Sequence, residues 1–176
     1  ESLKERQQAL QEPLFQQKYM VPILLAVAIA MFNQLSGINA VMYYAPRIFE
    51  MAGTGQETAL LQTIAVGGTN LVFTLLAMSI IDMVGRKKLM IAGSIGYIVS
   101  LATASVTFGY YGLEFAGTWG STIILIAIMA FVASHAFGQG AVIWVFISEI
   151  FPNRVRARGH SLGTFTHWVF NAGVSS

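Results

Sequence analysis

VPILLAVAIAMFNQLSGINAVMYYAPRIF, residues 21–49, is a run in which Arg47 is the only charged side chain. An α-helix needs about 20 consecutive apolar residues to cross roughly 30 Å of hydrocarbon, so this run is long enough to span a bilayer. Similar runs follow at residues 60–81, 89–108 and 121–147, and a fifth starts near His160 and continues to Ser176. The composition agrees. Hydrophobic residues make up 55% and charged residues only 10%, with a mean hydropathy of +0.64, whereas globular chains carry about 25% charged residues. The expected fold class is therefore all-α, a polytopic bundle of five transmembrane helices embedded in lipid, with residues 1–20 as a cytoplasmic linker segment.

The cations orient these spans. Lys4, Arg6 and Lys18 precede the first run, Arg86, Lys87 and Lys88 separate the second from the third, and Arg154, Arg156 and Arg158 separate the fourth from the fifth. Threading the chain back and forth puts all of these on one side and Arg47 alone on the other, which the positive-inside rule reads as cytoplasm for the larger group. The opposite loop around Glu114 has no cation, and its Tyr110, Tyr111 and Trp119 suit an interfacial aromatic belt. Residues 1–19, ESLKERQQALQEPLFQQKY, lack the order of a signal peptide, so a start within a longer protein is expected. The expected location is a cell membrane, bacterial inner or plasma membrane, crossed several times.

Other classes lose their support. There is no cysteine, hence no disulfide framework or thiolate metal site. A net charge of +2 gathered in short loops offers no basic face for nucleic acid, so no such partner is expected. HExxH and P-loop patterns are missing from the sequence, so no enzyme, metal or cofactor chemistry is expected.

Polar residues inside apolar runs are costly unless they meet a partner, water or a ligand. The first run holds Asn33, Gln34, Ser36, Gly37 and Asn39, then Tyr43 and Tyr44. On an unbroken helix Gln34 and Asn39 stand about 140° apart, so either the polar face is broad or the helix opens near Gly37. Pro46 adds a second weak point. The second run has Gly67, Gly68, Thr69 and Asn70, with Thr74 one turn on. The fourth has Gly138, Gln139 and Gly140, then Trp144, and the fifth places His167 and Asn171 on one face beside Trp168. Gly159 and Gly163 form a GxxxG that favours close helix contact. Each cluster reads either as a packing seam or as a binding surface. His135 and His167 read as neutral, hydrogen-bonded imidazoles, and Asp82 and Glu149, near cations at cytoplasmic ends, as a gate latch.

In order and spacing, three motifs resemble those of the sugar porters of the major facilitator superfamily. Asn33-Gln-Leu-Ser-Gly-Ile-Asn39-Ala-Val-Met-Tyr-Tyr44 resembles the seventh-helix signature QQxSGxNxxxYY. Asp82-Met-Val-Gly-Arg-Lys-Lys88 resembles the loop motif D-x-x-G-R-[RK]-[RK], and Trp144 followed by Ser148-Glu-Ile-Phe-Pro-Asn153 and Arg156 resembles the end of helix ten in its bacterial form. The resemblance implies a partial second half of the major facilitator fold, helices seven to eleven. It further implies alternating access with the N-terminal half of the same transporter, for a monosaccharide such as a hexose or pentose, by uniport or with protons. Gln34, Asn39, Asn70, Trp144, Trp168 and Asn171 would contact the sugar, as would Asn33, which replaces the family's first Gln. Tyr43 and Tyr44 would belong to the outer gate, and Asp82, Arg86, Glu149 and Arg156 to cytoplasmic salt bridges. Two other departures stand out: Gly138-Gln-Gly-Ala-Val-Ile-Trp144 replaces a proline-rich GPGPxPW, and His167 stands where many relatives carry an amide. A polyol or other small polar solute as cargo, or a sugar sensor of the same fold, are the alternatives.

Overall fold

The computed structural model describes residues 12–51, 56–111 and 119–175. Lys4, Arg6, Tyr111 as a side chain and Glu114 lie outside the described residues. A short 3-10 turn, Gln17–Tyr19, leads into α1 (Met20–Leu35), and α2 (Ile38–Met51), α3 (Gln56–Val84) and α4 (Arg86–Tyr111) follow. Next come α5 (Trp119–His135), a π-helical segment (Ala136–Gly140), α6 (Ala141–Glu149) and α7 (Arg156–Ser175). Four stretches are long and apolar enough to cross a membrane: Gln17–Met51, Glu57–Val84, Arg86–Tyr110 and Trp119–Glu149. The fifth expected span folds as α7, a helix of 20 residues, but its arginines, histidines and hydroxyls leave it outside that set of four.

The surface of these helices is built for lipid. On α3, Leu60, Leu61, Ile64, Leu71, Val72, Leu75, Leu76 and Met78 are all exposed, a continuous apolar face that water would penalise and hydrocarbon would not. Hydroxyls inside the spans turn back on their own helices: Thr63 donates to the Ala59 carbonyl at 2.9 Å, Thr69 to Ala65 at 2.8 Å and Ser100 to Gly96 at 2.8 Å. This satisfies each hydroxyl without a partner from outside. Tyr110 and Trp119, expected at an interface, are 82% and 80% exposed.

Two glycines set the breaks. The first run opens where its polar spacing suggested, since Gly37 has φ +78°, a left-handed value that only glycine adopts without strain. The Gly37 N–H then donates to the Gln34 carbonyl at 3.0 Å, and the Ser36 N–H to Phe32 at 3.2 Å, so α1 ends with its last carbonyls occupied. Gly85, at φ +90°, is the single residue between α3 and α4. There Asp82 and Arg86 bridge the turn at 2.9 Å.

The chain forms two compact units. One contains residues 1–37 and 143–176, with a core of Leu14, Tyr19, Ile23, Ala26, Ala30, Ile143, Ile147, Phe151 and Val155. Here α1 packs on α7, and Gly159 lies so close to Phe151 that a methyl there would run into the ring, while one on Gly163 would stand 3.0 Å from Ile147. The expected GxxxG contact is thus a real seam. The other unit contains residues 38–142, with a core centred on Ile38, Ala45, Phe49, Val66, Ile124, Phe131 and Val132. In it, the π-helical segment meets α4 backbone to backbone, because Gly93 and Gly138 both lack a side chain.

Candidate functional site

The polar cluster with the most converging geometry lies in the first unit. Asn33 and Gln34 sit on the last turn of α1, 3% and 2% exposed. The break at Gly37 places them there: Ser36 Oγ donates to the Asn33 carbonyl at 2.6 Å and closes the helix end behind them. Gln34 Nε2 donates to Asn33 Oδ1 at 3.0 Å.

Across from them runs a stripe on α7. His160, Thr164, His167 and Asn171 are spaced four, three and four residues apart and so share one helix face. All four are buried or half-buried, whereas Ser161, Phe165, Trp168 and Val169 between them are exposed. The Gln34 amide nitrogen lies 3.1 Å from Nδ1 and 3.0 Å from Nε2 of His167. An atom nearly equidistant from both ring nitrogens lies over the imidazole and not in line with one lone pair, so this contact favours neither tautomer.

Trp144 on α6 completes the group. Its ring centroid is 4.8 Å from that of His167, tilted by 58°, and 5.9 Å from that of His160, tilted by 44°. Three helices thus bring together amides, imidazoles and an indole: groups that exchange hydrogen bonds with hydroxyls, and a flat apolar surface beside them.

Of the residues expected to bind, Asn33, Gln34, Trp144 and Asn171 belong to this unit and are at most half-exposed. Trp168 belongs to it too, but projects about 100° round α7 from His167 and is 59% exposed, its ring edge-on to His167 at 5.5 Å. Asn39 on α2 and Asn70 on α3 belong to the second unit and are half-buried, and Tyr43 and Tyr44 are 60% and 50% exposed. Asp82 and Arg86 form their ion pair in the second unit, while Glu149 ends α6 and Arg156 opens α7 in the first, both exposed. Gln139, in the π-helical segment, donates to Ser94 Oγ at 3.0 Å and so ties that segment to α4. Sequence reasoning read His167 as a hydrogen-bonded imidazole without naming its partner, and missed His160. The 4-3-4 spacing of polar residues on α7 was the signal that could have found it.

The family described as "Sugar (and other) transporter" matches residues 1–176. The arabinose-proton symporter of Bacillus subtilis is 36% identical over 170 residues, covering 97% of this chain and 35% of that protein. The D-xylose-proton symporter of Escherichia coli is 37% identical over 153 residues, covering 87% and 30%. Among solved structures, the major facilitator superfamily proton:xylose symporter XylE bound to 6-bromo-6-deoxy-D-glucose superposes with a TM-score of 0.77 at 37% identity, over 87% of this chain and 31% of that one. The chain spans about a third of the length of these relatives. Matched along residues 1–176 and all-helical in its described residues like its structural neighbour, the chain belongs to the Sugar (and other) transporter family, as a membrane protein of the major facilitator superfamily.

Proposed function

We propose that this chain supplies one wall of a monosaccharide site in a transporter that works by alternating access. The observation that carries this reading is the convergence of Gln34, His167 and Trp144 from three helices. Amide and imidazole nitrogens exchange hydrogen bonds with sugar hydroxyls, and an indole covers the apolar face of a pyranose. In transporters such sites stand beside interrupted helices, and Gly37 interrupts the first span three residues beyond Gln34. By family resemblance, sugar contact extends to Asn33, Asn39, Asn70, Trp168 and Asn171, outer gating to Tyr43 and Tyr44, and a cytoplasmic latch to Asp82, Arg86, Glu149 and Arg156. On this reading α7 is the fifth span, its polar stripe turned from lipid. The two symporters it resembles support a pentose as cargo and protons as the coupling ion, and the glucose derivative bound in the structural neighbour supports a hexose.

Counterflow of radiolabelled xylose and glucose in proteoliposomes tests this on the full-length protein. Uptake that falls at least about tenfold in both Gln34→Ala and Trp144→Ala, the size of one to two lost contacts, supports the site. Sugar binding without uptake favours a sensor, and uptake of a polyol in place of either sugar reassigns the cargo. Repeating uptake with and without an imposed pH gradient separates symport from uniport.

A further inference from the structure

We propose that His160 is a positioning residue for Trp144, holding the indole at the angle in which it meets substrate; the proposal rests on the reading of Trp144 as the sugar platform. Two imidazoles touch this one indole, and both come from α7. His160 and His167 are seven residues apart, so they lie within about 20° of each other round the helix and about 10 Å apart along it. One ring contact leaves an indole free to swing about its two side-chain torsions, whereas contacts at two heights hold both. A ligand that meets a held indole does not lose affinity to ordering it.

The surroundings keep His160 within reach. Gly159, its neighbour in sequence, sits against the Phe151 ring, and Gly163 one turn on sits against Ile147. A methyl at Gly159 would collide with the Phe151 ring, and one at Gly163 would need Ile147 to give by a few tenths of an ångström. Thr164 lies beside the imidazole on the same helix: its hydroxyl donates to the His160 carbonyl at 2.9 Å and stands 3.5 Å from His160 Nδ1. A leucine would fill the same space without the cost of burying polar atoms, so a histidine here calls for a role beyond packing.

The test uses the full-length protein labelled with 5-fluorotryptophan, with the Trp144 fluorine resonance identified by its loss in Trp144→Phe. His160→Leu is expected to shift and broaden that resonance and to weaken binding of xylose or glucose, whichever the parent binds, by about three- to tenfold. His160→Phe, which keeps a ring, restores both. Should His160→Leu fail to fold, Thr164→Val, which removes the hydroxyl beside His160 Nδ1, is expected to move the resonance and the affinity in the same direction. An unmoved resonance overturns the proposal, as does a shifted resonance with unchanged affinity while Trp144→Phe abolishes binding. If Trp144→Phe itself leaves affinity intact while the resonance still responds to His160, the platform reading falls and the brace stands.

Discussion

A methyl group on Gly93 would stand 2.5 Å from the Cα of Gly138, and one on Gly138 would stand 2.6 Å from the Cα of Gly93. The two backbones touch where α4 crosses the π-helical segment, and the obstacle on each side is main chain, which has no rotamer to yield. Gly93→Ala is therefore expected to lower stability by about 1–3 kcal/mol through overpacking. An alanine at Gly67, where nothing lies within 4 Å of an added methyl, serves as the control. Thermal unfolding of the full-length protein in detergent measures both, and equal melting temperatures for the two variants would show that the contact opens at no cost.

Gly85 separates backbone strain from crowding. Its φ is +90°, yet an added Cβ would meet nothing within 4 Å. Gly85→Ala is expected to cost about 1–2 kcal/mol from the left-handed conformation alone, and Gly85→Asn less, because asparagine tolerates that region better. The same melting assay should rank Gly above Asn above Ala. Alanine equal to glycine would mean the α3–α4 turn relaxes to a right-handed path.

The Gln34–His167 contact has its own signature. His167→Leu leaves the buried Gln34 amide without that neighbour and is expected to lower stability by about 1–3 kcal/mol. It should also reduce the thermal stabilisation that added sugar confers. His167→Gln keeps polar atoms beside Gln34 and should recover most of both. A leucine variant as stable and as sugar-responsive as the parent would remove His167 from the site.

Glu12 makes the segment leading into α1 sensitive to acid. Lys18 Nζ donates to its carboxylate, and so does the Tyr19 hydroxyl at 2.8 Å; the Lys18 bond first, then the Tyr19 bond, holds the carboxyl below its usual range. A carboxyl lowered on folding contributes stability that is fully present above its unfolded pKa and is lost as the pH falls through the lowered folded value. Protection factors for the amides of residues 12–19, taken against the intrinsic exchange rate at each pH, should therefore be high at neutral pH and fall in acid, and Glu12→Gln should give low protection at both. A pH-independent protection factor in the parent would assign the docking of this segment to Leu14 and Tyr19 packing and to the Arg158 bond to the Glu12 carbonyl.

Much of this was readable from residues. The apolar runs gave the helices because hydrocarbon admits few alternatives, the 140° between Gln34 and Asn39 anticipated the break at Gly37, and Asp82 and Arg86 are paired by their four-residue spacing. What stayed hidden is what depends on distant parts of the chain. The π-helical turn at Ala136–Gly140 changes the helical register by a fraction of a turn, and its Gly138, Gln139 and Gly140 mark a polar cluster without distinguishing a π turn from an α-helical one. Gly93 and Gly138 are individually ordinary, and their meaning exists only face to face. Gln34 and His167 are 133 residues apart, and no local periodicity links them. Trp168, one residue on from His167, stands about 100° round the helix from the polar stripe and is 59% exposed.

The composition of α7 bears on how the protein is made. The four other spans are apolar enough to partition into a bilayer by themselves, but α7 carries two arginines, two histidines, an asparagine and several hydroxyls. With α7 crossing the membrane as proposed, its insertion is uphill for the isolated segment and becomes favourable only against helices already in place. The partners that cover its stripe, Gln34 and Trp144, both emerge from the ribosome before it. Biogenesis therefore has a direction: the half-site on α1 and α6 must be waiting in the membrane when α7 arrives, and a variant that empties it, such as Trp144→Ala, should leave α7 vulnerable to membrane quality-control proteases during synthesis.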